Sequence, residues 1–372
     1  MTGKSDHVGD GAATRWILPA GGAGAIGAAQ IFPLIGVGDV RLISDGLVYW
    51  DAWPLLTEDG DCFIATGGSR LWFALAAERT EDPDTRHAKA RIHTLAEHEG
   101  EFAPLGPTLP DLFSPGSREW SGSAVINPMS RQITLSFTAA GRRGEASTTF
   151  EQRMFRTRGE LTGTRIYHWS APEEMVRADN DHYQRVIQAG GEIGKIKAFR
   201  DPDAFCDPAD GRRWTVFTAS SARCAGAHDG VIGAAVEGAN GDMVLLPPLI
   251  DATGVNNELE RPHLRMFDNL YYLFWSTQAQ VFAPDTGDWP TGLYGAVAQS
   301  LDGSWRLLNG SGLIAANPPE APAQAYSWLV LPDRRVTSFV DRWGNPDDKN
   351  FGGTFAPFVT LALNGDRVSI KR

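Results

Sequence analysis

Cysteine is scarce in this chain of 372 residues. The three present, Cys62, Cys206 and Cys224, cannot all pair with one another. Their spacing fits no zinc pattern, so neither a disulfide framework nor a metal site is expected. A Cys206–Cys224 bridge stays open, with free buried thiols as the expected state. Long apolar runs are missing too: no stretch of about 18 apolar residues lacks Gly and Pro, so no membrane-spanning helix is expected. Nor is there an excess of positive charge, because 34 Lys and Arg stand against 45 Asp and Glu for a net charge of -11. That balance argues against nucleic acid or an anionic membrane as partner, since phosphate binding needs a basic surface. Nothing in the chain calls for a cofactor or an obligate protein partner.

Two N-terminal patterns fail for want of a helix. Residues 16–29 follow Lys4 and Arg15 and imitate a signal peptide, but their glycines make a poor apolar helix and no cleaved signal is expected. Gly22, Gly24 and Gly27 spell G-x-G-x-x-G. A dinucleotide site would need a full helix after them, and Pro33 stops one after about two turns.

What is present is turn and strand chemistry: 41 Gly, 23 Pro and 12 Trp. This composition favours many short strands over long helices, hence an all-β fold. Strands are expected at 62–66, 71–75, 133–138 and 147–154, with a polar loop at 78–89 and a helical or irregular insertion at 170–191. Further on the text repeats. Arg200-Asp201-Pro202 precedes Trp214-Thr215-Val216-Phe217, and Glu260-Arg261-Pro262 precedes Tyr271-Tyr272-Leu273-Phe274-Trp275. Anchors at Asp51, Trp120, Asp201, Glu260 and Tyr326 recur about every 60–80 residues, the length of a unit of three or four strands. Five anchors predict a five-bladed β-propeller with a central funnel. We expect residues 1–35 to be an N-terminal extension, partly irregular, and 36–372 one catalytic propeller.

In a propeller, the heads of the innermost strands converge on one axis. Asp51, Asp201 and Glu260 would then meet. Glu258 and Glu260, two apart, would share a face, and such crowding raises the proton affinity of one of them. Glycosyl transfer with retention needs a carboxylate nucleophile and a carboxylic acid about 5–5.5 Å apart. Asp51, between Trp50 and Trp53, suits the nucleophile; Glu260 suits the acid/base; Asp201, beside Arg200, suits binding of sugar hydroxyls.

Trp50-Asp51-Ala52-Trp53-Pro54, Glu119-Trp120-Ser121-Gly122-Ser123, Arg200-Asp201-Pro202 and Glu260-Arg261-Pro262 together resemble the motif set of glycoside hydrolase family 68. These are the levansucrases, inulosucrases and bacterial β-fructofuranosidases, and the chain is similar to the shorter, Gram-negative type from about residue 35 to 365. The resemblance implies catalytic roles for Asp51, Asp201 and Glu260. It implies sugar-site positions for Trp50, Trp120, Ser121 and Arg200, and places Glu258, Arg261 and Tyr326 around the leaving group and acid/base. Where many members carry His or Arg, this chain has Gln278, so short products are expected over long levan. The family's Tyr-Ser-His reads Tyr326-Ser327-Trp328, a change expected on the acceptor side. Asn257 stands where calcium-binding members have an acid, so no calcium is expected.

The implied partners are sucrose and saccharide acceptors. A β-fructosidase acting on fructans and a non-catalytic sugar-binding propeller are the alternatives. An extracellular or periplasmic location is expected, with the cytoplasm left open.

Overall fold

A computed structural model describes residues 13–65, 67–186, 196–344 and 350–371. Five antiparallel sheets surround one axis. Blade I is Leu47–Thr57, Arg70–Glu78, Arg91–His98 and Glu101–Pro107; blade II is Arg118–Ile126, Gln132–Ala140, Gln152–Thr162 and Glu173–Val176. Blade III is Phe199–Cys206, Arg213–Ser220, Gly230–Glu237 and Met243–Asp251. Blade IV is Glu260–Phe267, Leu270–Thr277 and Gly292–Ala298, the last flanked by Arg306–Leu307 and Leu313–Ala316. Blade V is Ala325–Val330, Arg335–Val340, Val359–Asn364 and Arg367–Ile370. The first strands of neighbouring blades pack against one another around a ring, and blade V closes against blade I. Residues 55–57 also pair in parallel with 124–126, joining blades I and II.

One irregularity recurs in every blade and builds the centre. Each first strand slips register against the second: between Trp50 and Trp53, Trp120 and Gly122, Arg200 and Asp203, Glu260 and His263, and Tyr326 and Leu329. These are β-bulges, which re-aim side chains where regular pleating would alternate them. In four of the five, a non-glycine residue takes the left-handed conformation: Asp51, Asp201, Arg261 and Ser327. Such residues cost on the order of 1–3 kcal/mol each and persist only where the surroundings hold them. In blade II the backbone instead closes in at Gly122, where a Cβ would lie 1.9 Å from the Ser136 carbonyl oxygen.

The tryptophans are mostly core. Trp16, ahead of the first blade, inserts into blade IV, edge-on to Trp275, Tyr294 and Phe282 at 5.2, 5.3 and 5.6 Å. Its Nε1 donates to the Ser311 carbonyl. The backbone of Thr14–Arg15 adds a parallel strand to the outer edge of blade III. The glycines of the G-x-G-x-x-G match lead into a three-residue 3-10 turn, Ala28–Gln30, and no helix.

Several expected elements differ. Residues 62–65 form isolated bridges at Cys62 and Ile64 instead of a strand, and Thr66 lies outside the described residues. The strand expected at 147–154 begins at Gln152 and runs to Thr162. In the expected insertion, Glu173–Val176 is the outer strand of blade II, 177–186 is irregular, and 187–191 lie outside the described residues. The outer strands of blade I were not foreseen. The outermost contains Pro104 and Pro107, tolerated because an edge strand needs only one side of its hydrogen bonds. All three cysteines are free and half-buried. No helix among the described residues is long and apolar enough to cross a membrane.

Candidate active site

The bulged strand heads line a central cavity of about 480 Å³. The sequence-predicted catalytic and substrate-binding residues are on its wall: Trp50, Asp51, Trp120, Ser121, Arg200, Asp201, Glu258, Glu260, Arg261, Gln278 and Tyr326. Leu259 points away and is buried, so the two glutamates share a face as the spacing requires.

Arg200 organises the acids. Its guanidinium lies 2.7 Å from Glu260, 3.5 Å from Glu258 and 3.6 Å from Asp201. Burial alone would lower the arginine's pKa; the surrounding carboxylates outweigh it and raise it. Asp201 is clamped by Ser121 Oγ (2.6 Å) and Thr218 Oγ1 (3.1 Å), with its own N–H donated to Thr138. Tyr326 donates its hydroxyl to Glu260 Oε2, and burial followed by the Glu260 charge pushes the phenol pKa well up.

Asp51 faces Arg261, whose Nη1 is 3.9 Å from Oδ1. The same guanidinium donates to the Ala52 carbonyl and to Ser327 Oγ. Burial pushes Asp51 up, Arg261 opposes it, Asp201 adds to it and a Ser327 hydrogen bond opposes it; the balance is about 6. In the glutamate pair the raised proton affinity falls on Glu258, at about 8, from burial first and then the charge of Glu260. The carboxylates differ in access. The side chains of Asp51 and Glu260 are 21% and 19% exposed, against 7% for Asp201 and 5% for Glu258.

The sequence matches the levansucrase/invertase family, glycoside hydrolase family 68, over residues 27–238 and 225–372. The chain belongs to glycoside hydrolase family 68. A levansucrase of Rahnella aquatilis is 32% identical over 385 residues, covering 90% of this chain and 88% of that protein. A levansucrase of Erwinia amylovora is 30% identical, covering 88% and 86%. The solved inulosucrase of Halalkalicoccus jeotgali, bound to kestose, superposes with a TM-score of 0.85 at 33% identity, covering 96% of this chain and 95% of that one. With the family comes the class: this family 68 protein is an enzyme, a glycoside hydrolase and fructosyltransferase of the levansucrase type.

The family motifs left part of this wall unread. Asp84, Arg86 and His87, from the loop expected only to be polar, line the cavity, as do Asp341 and Arg342 after blade V's second strand. Asp84 Oδ1 accepts from Arg86 and from Arg342, at 3.3 and 2.7 Å, tying the first blade to the last. Arg86 also lies over the Trp50 and Phe351 rings. His87 sits edge-on to Trp50; burial, then the Arg86, Arg200 and Arg342 charges, hold it neutral with a pKa of about 3. The lone signal in the sequence was a run of charges in a long inter-strand loop, which also describes a solvated surface. Gln278 is on the rim, accepting from Gln280. Trp328 does not reach the acceptor side. It is buried, stacked on Phe32 at 5.1 Å, because the bulge at Ser327 turns the next side chain into the core.

Proposed function

We propose that this enzyme cleaves sucrose with retention, through a covalent fructosyl intermediate. The observation that carries the reading is access: among the four clustered carboxylates, only Asp51 and Glu260 open appreciably onto the cavity. An attacking carboxylate and a proton donor must both reach the bond.

Asp51 attacks C2 of the fructosyl unit, forming a C–O ester bond as the bond to the glycosidic oxygen breaks. Glu260 delivers its proton to that oxygen, and glucose departs. Glu260, now a base, takes a proton from water or a sugar hydroxyl, whose oxygen attacks C2 and releases Asp51. Once Glu260 has delivered its proton, Arg200 and the Tyr326 hydroxyl donate to its carboxylate and steady it. Glu258, its proton affinity raised by burial and by its neighbour Glu260, shares Arg200 with that residue. Asp201, held by Ser121 and Thr218, binds ring hydroxyls, and Trp50 and Trp120 supply apolar faces.

Product size follows from the rim. Gln278 is a neutral amide paired with Gln280, a weaker donor to an incoming saccharide than a cation would be. This supports short oligosaccharides and free fructose over long levan. Incubation with sucrose, with glucose and fructose assayed separately, tests the reading. Glucose release in excess of fructose means transfer, and equal release means hydrolysis. Turnover of fructans but not sucrose would favour a β-fructosidase. Binding without release would mean a sugar-binding propeller.

A further inference from the structure

Asp341 differs from the other carboxylates on the cavity wall. Its backbone is fixed on both sides, the N–H donating to Gln324 O at 2.9 Å and the carbonyl accepting from Gly352 N at 3.0 Å. Its side chain lines the cavity. Among the described residues it makes neither a hydrogen bond nor an ion pair, and the Arg86 and Arg342 charges act on it only at longer range. Both guanidiniums are committed elsewhere, to the Asp84 carboxylate. Burial holds Asp341 up at about 6, with Arg86 and Arg342 opposing. Asp51, Asp201, Glu258 and Glu260, by contrast, each have an arginine within 4 Å. A polar group partly withdrawn from water with no protein partner is costly, and a native structure that retains one calls for an explanation.

Resting on the sucrose-cleaving reading above, we propose that Asp341 is a substrate-binding residue whose carboxylate accepts a hydrogen bond from a primary hydroxyl of the fructosyl unit. The assignment follows from what the other groups leave over. Asp51 is taken by C2, Glu260 by the glycosidic oxygen and Asp201 by the ring hydroxyls. The hydroxymethyl groups at C1 and C6 remain without a partner. The wall bearing Asp341 also carries Arg86, which lies over the Trp50 ring beside the nucleophile. The fructosyl unit would thus be held from the last blade as well as from the first four.

The test is kcat/KM for Asp341→Ala and Asp341→Asn on sucrose, 1′-deoxysucrose and 6′-deoxysucrose. On sucrose the alanine variant should lose roughly ten- to a hundredfold, the value of one hydrogen bond to a charged group. Asp341→Asn keeps the shape and an acceptor, and should lose severalfold less; it carries the test where the alanine variant fails to fold. On one of the two deoxy substrates the loss should disappear, because the hydroxyl that Asp341 reads is already gone. An equal loss on all three substrates, or none on sucrose, overturns the assignment. Failure of the unmodified enzyme to release glucose from sucrose overturns instead the reading beneath it.

Discussion

Replacing Ser327 by glycine should move the acid limb of activity upward without unfolding the enzyme. Ser327 is buried and left-handed, with φ of 60°, a conformation glycine adopts freely. Its hydroxyl lies beside Asp51 and lowers that carboxyl's pKa, and it accepts from Arg261 Nη1 at 3.3 Å. A hydrogen bond to a charged group is worth about 1.5–3 kcal/mol, and one pKa unit is about 1.36 kcal/mol. At the weak end of that range, losing this interaction should raise Asp51 by about one unit, from about 6 toward 7. Asp51 must be ionised to attack, so a higher pKa removes nucleophile on the acid side and leaves the alkaline side alone. At pH 5 kcat/KM should fall roughly tenfold against the unmodified enzyme, at pH 7 about twofold, and at pH 8 hardly at all. Glucose release from sucrose between pH 4.5 and 8 reads this directly. A soluble, active Ser327→Gly enzyme whose acid limb stays put, or moves down, would refute the link between Ser327 and Asp51.

Asp51→Asn should lower turnover of sucrose by more than about a hundredfold, since no ester can form, while calorimetry still detects sucrose binding. Glu260→Gln should collapse activity on sucrose and spare more of it on fructosyl fluoride, whose leaving group needs no proton; equal losses on the two would make Glu260 a binding group. Gln278→His should lengthen the products, seen by size-exclusion chromatography, with sucrose consumption little changed. High-molecular-weight fructan from the unmodified enzyme would show that chain holding lies elsewhere. Trp16→Ala should cost about 3–5 kcal/mol of stability, as a buried aromatic does, measured by denaturant unfolding.

The amino-acid sequence by itself determined the fold class and the candidate site's main residues. Gly and Pro punctuation with short apolar runs is local information, and so is a recurring acid or aromatic at each strand head. Five recurrences specify five blades, and blades force distant heads onto one axis. That is how Asp51, Asp201 and Glu260 could be named before any coordinates. What the tertiary structure alone decided is of three kinds. Backbone strain at Asp51, Asp201, Arg261 and Ser327 is imposed by bulges, and no residue code marks it; Trp328 was misjudged because one bulge turned it inward. Burial decides proton affinity: Glu258 and Glu260 are alike in sequence, yet Glu258 is the more enclosed and takes the raised pKa. The wall of Asp84, Arg86, His87 and Asp341 arises where the first and last blades meet. Nothing in two segments some 250 residues apart announces that contact, because closing the ring is a property of the whole chain.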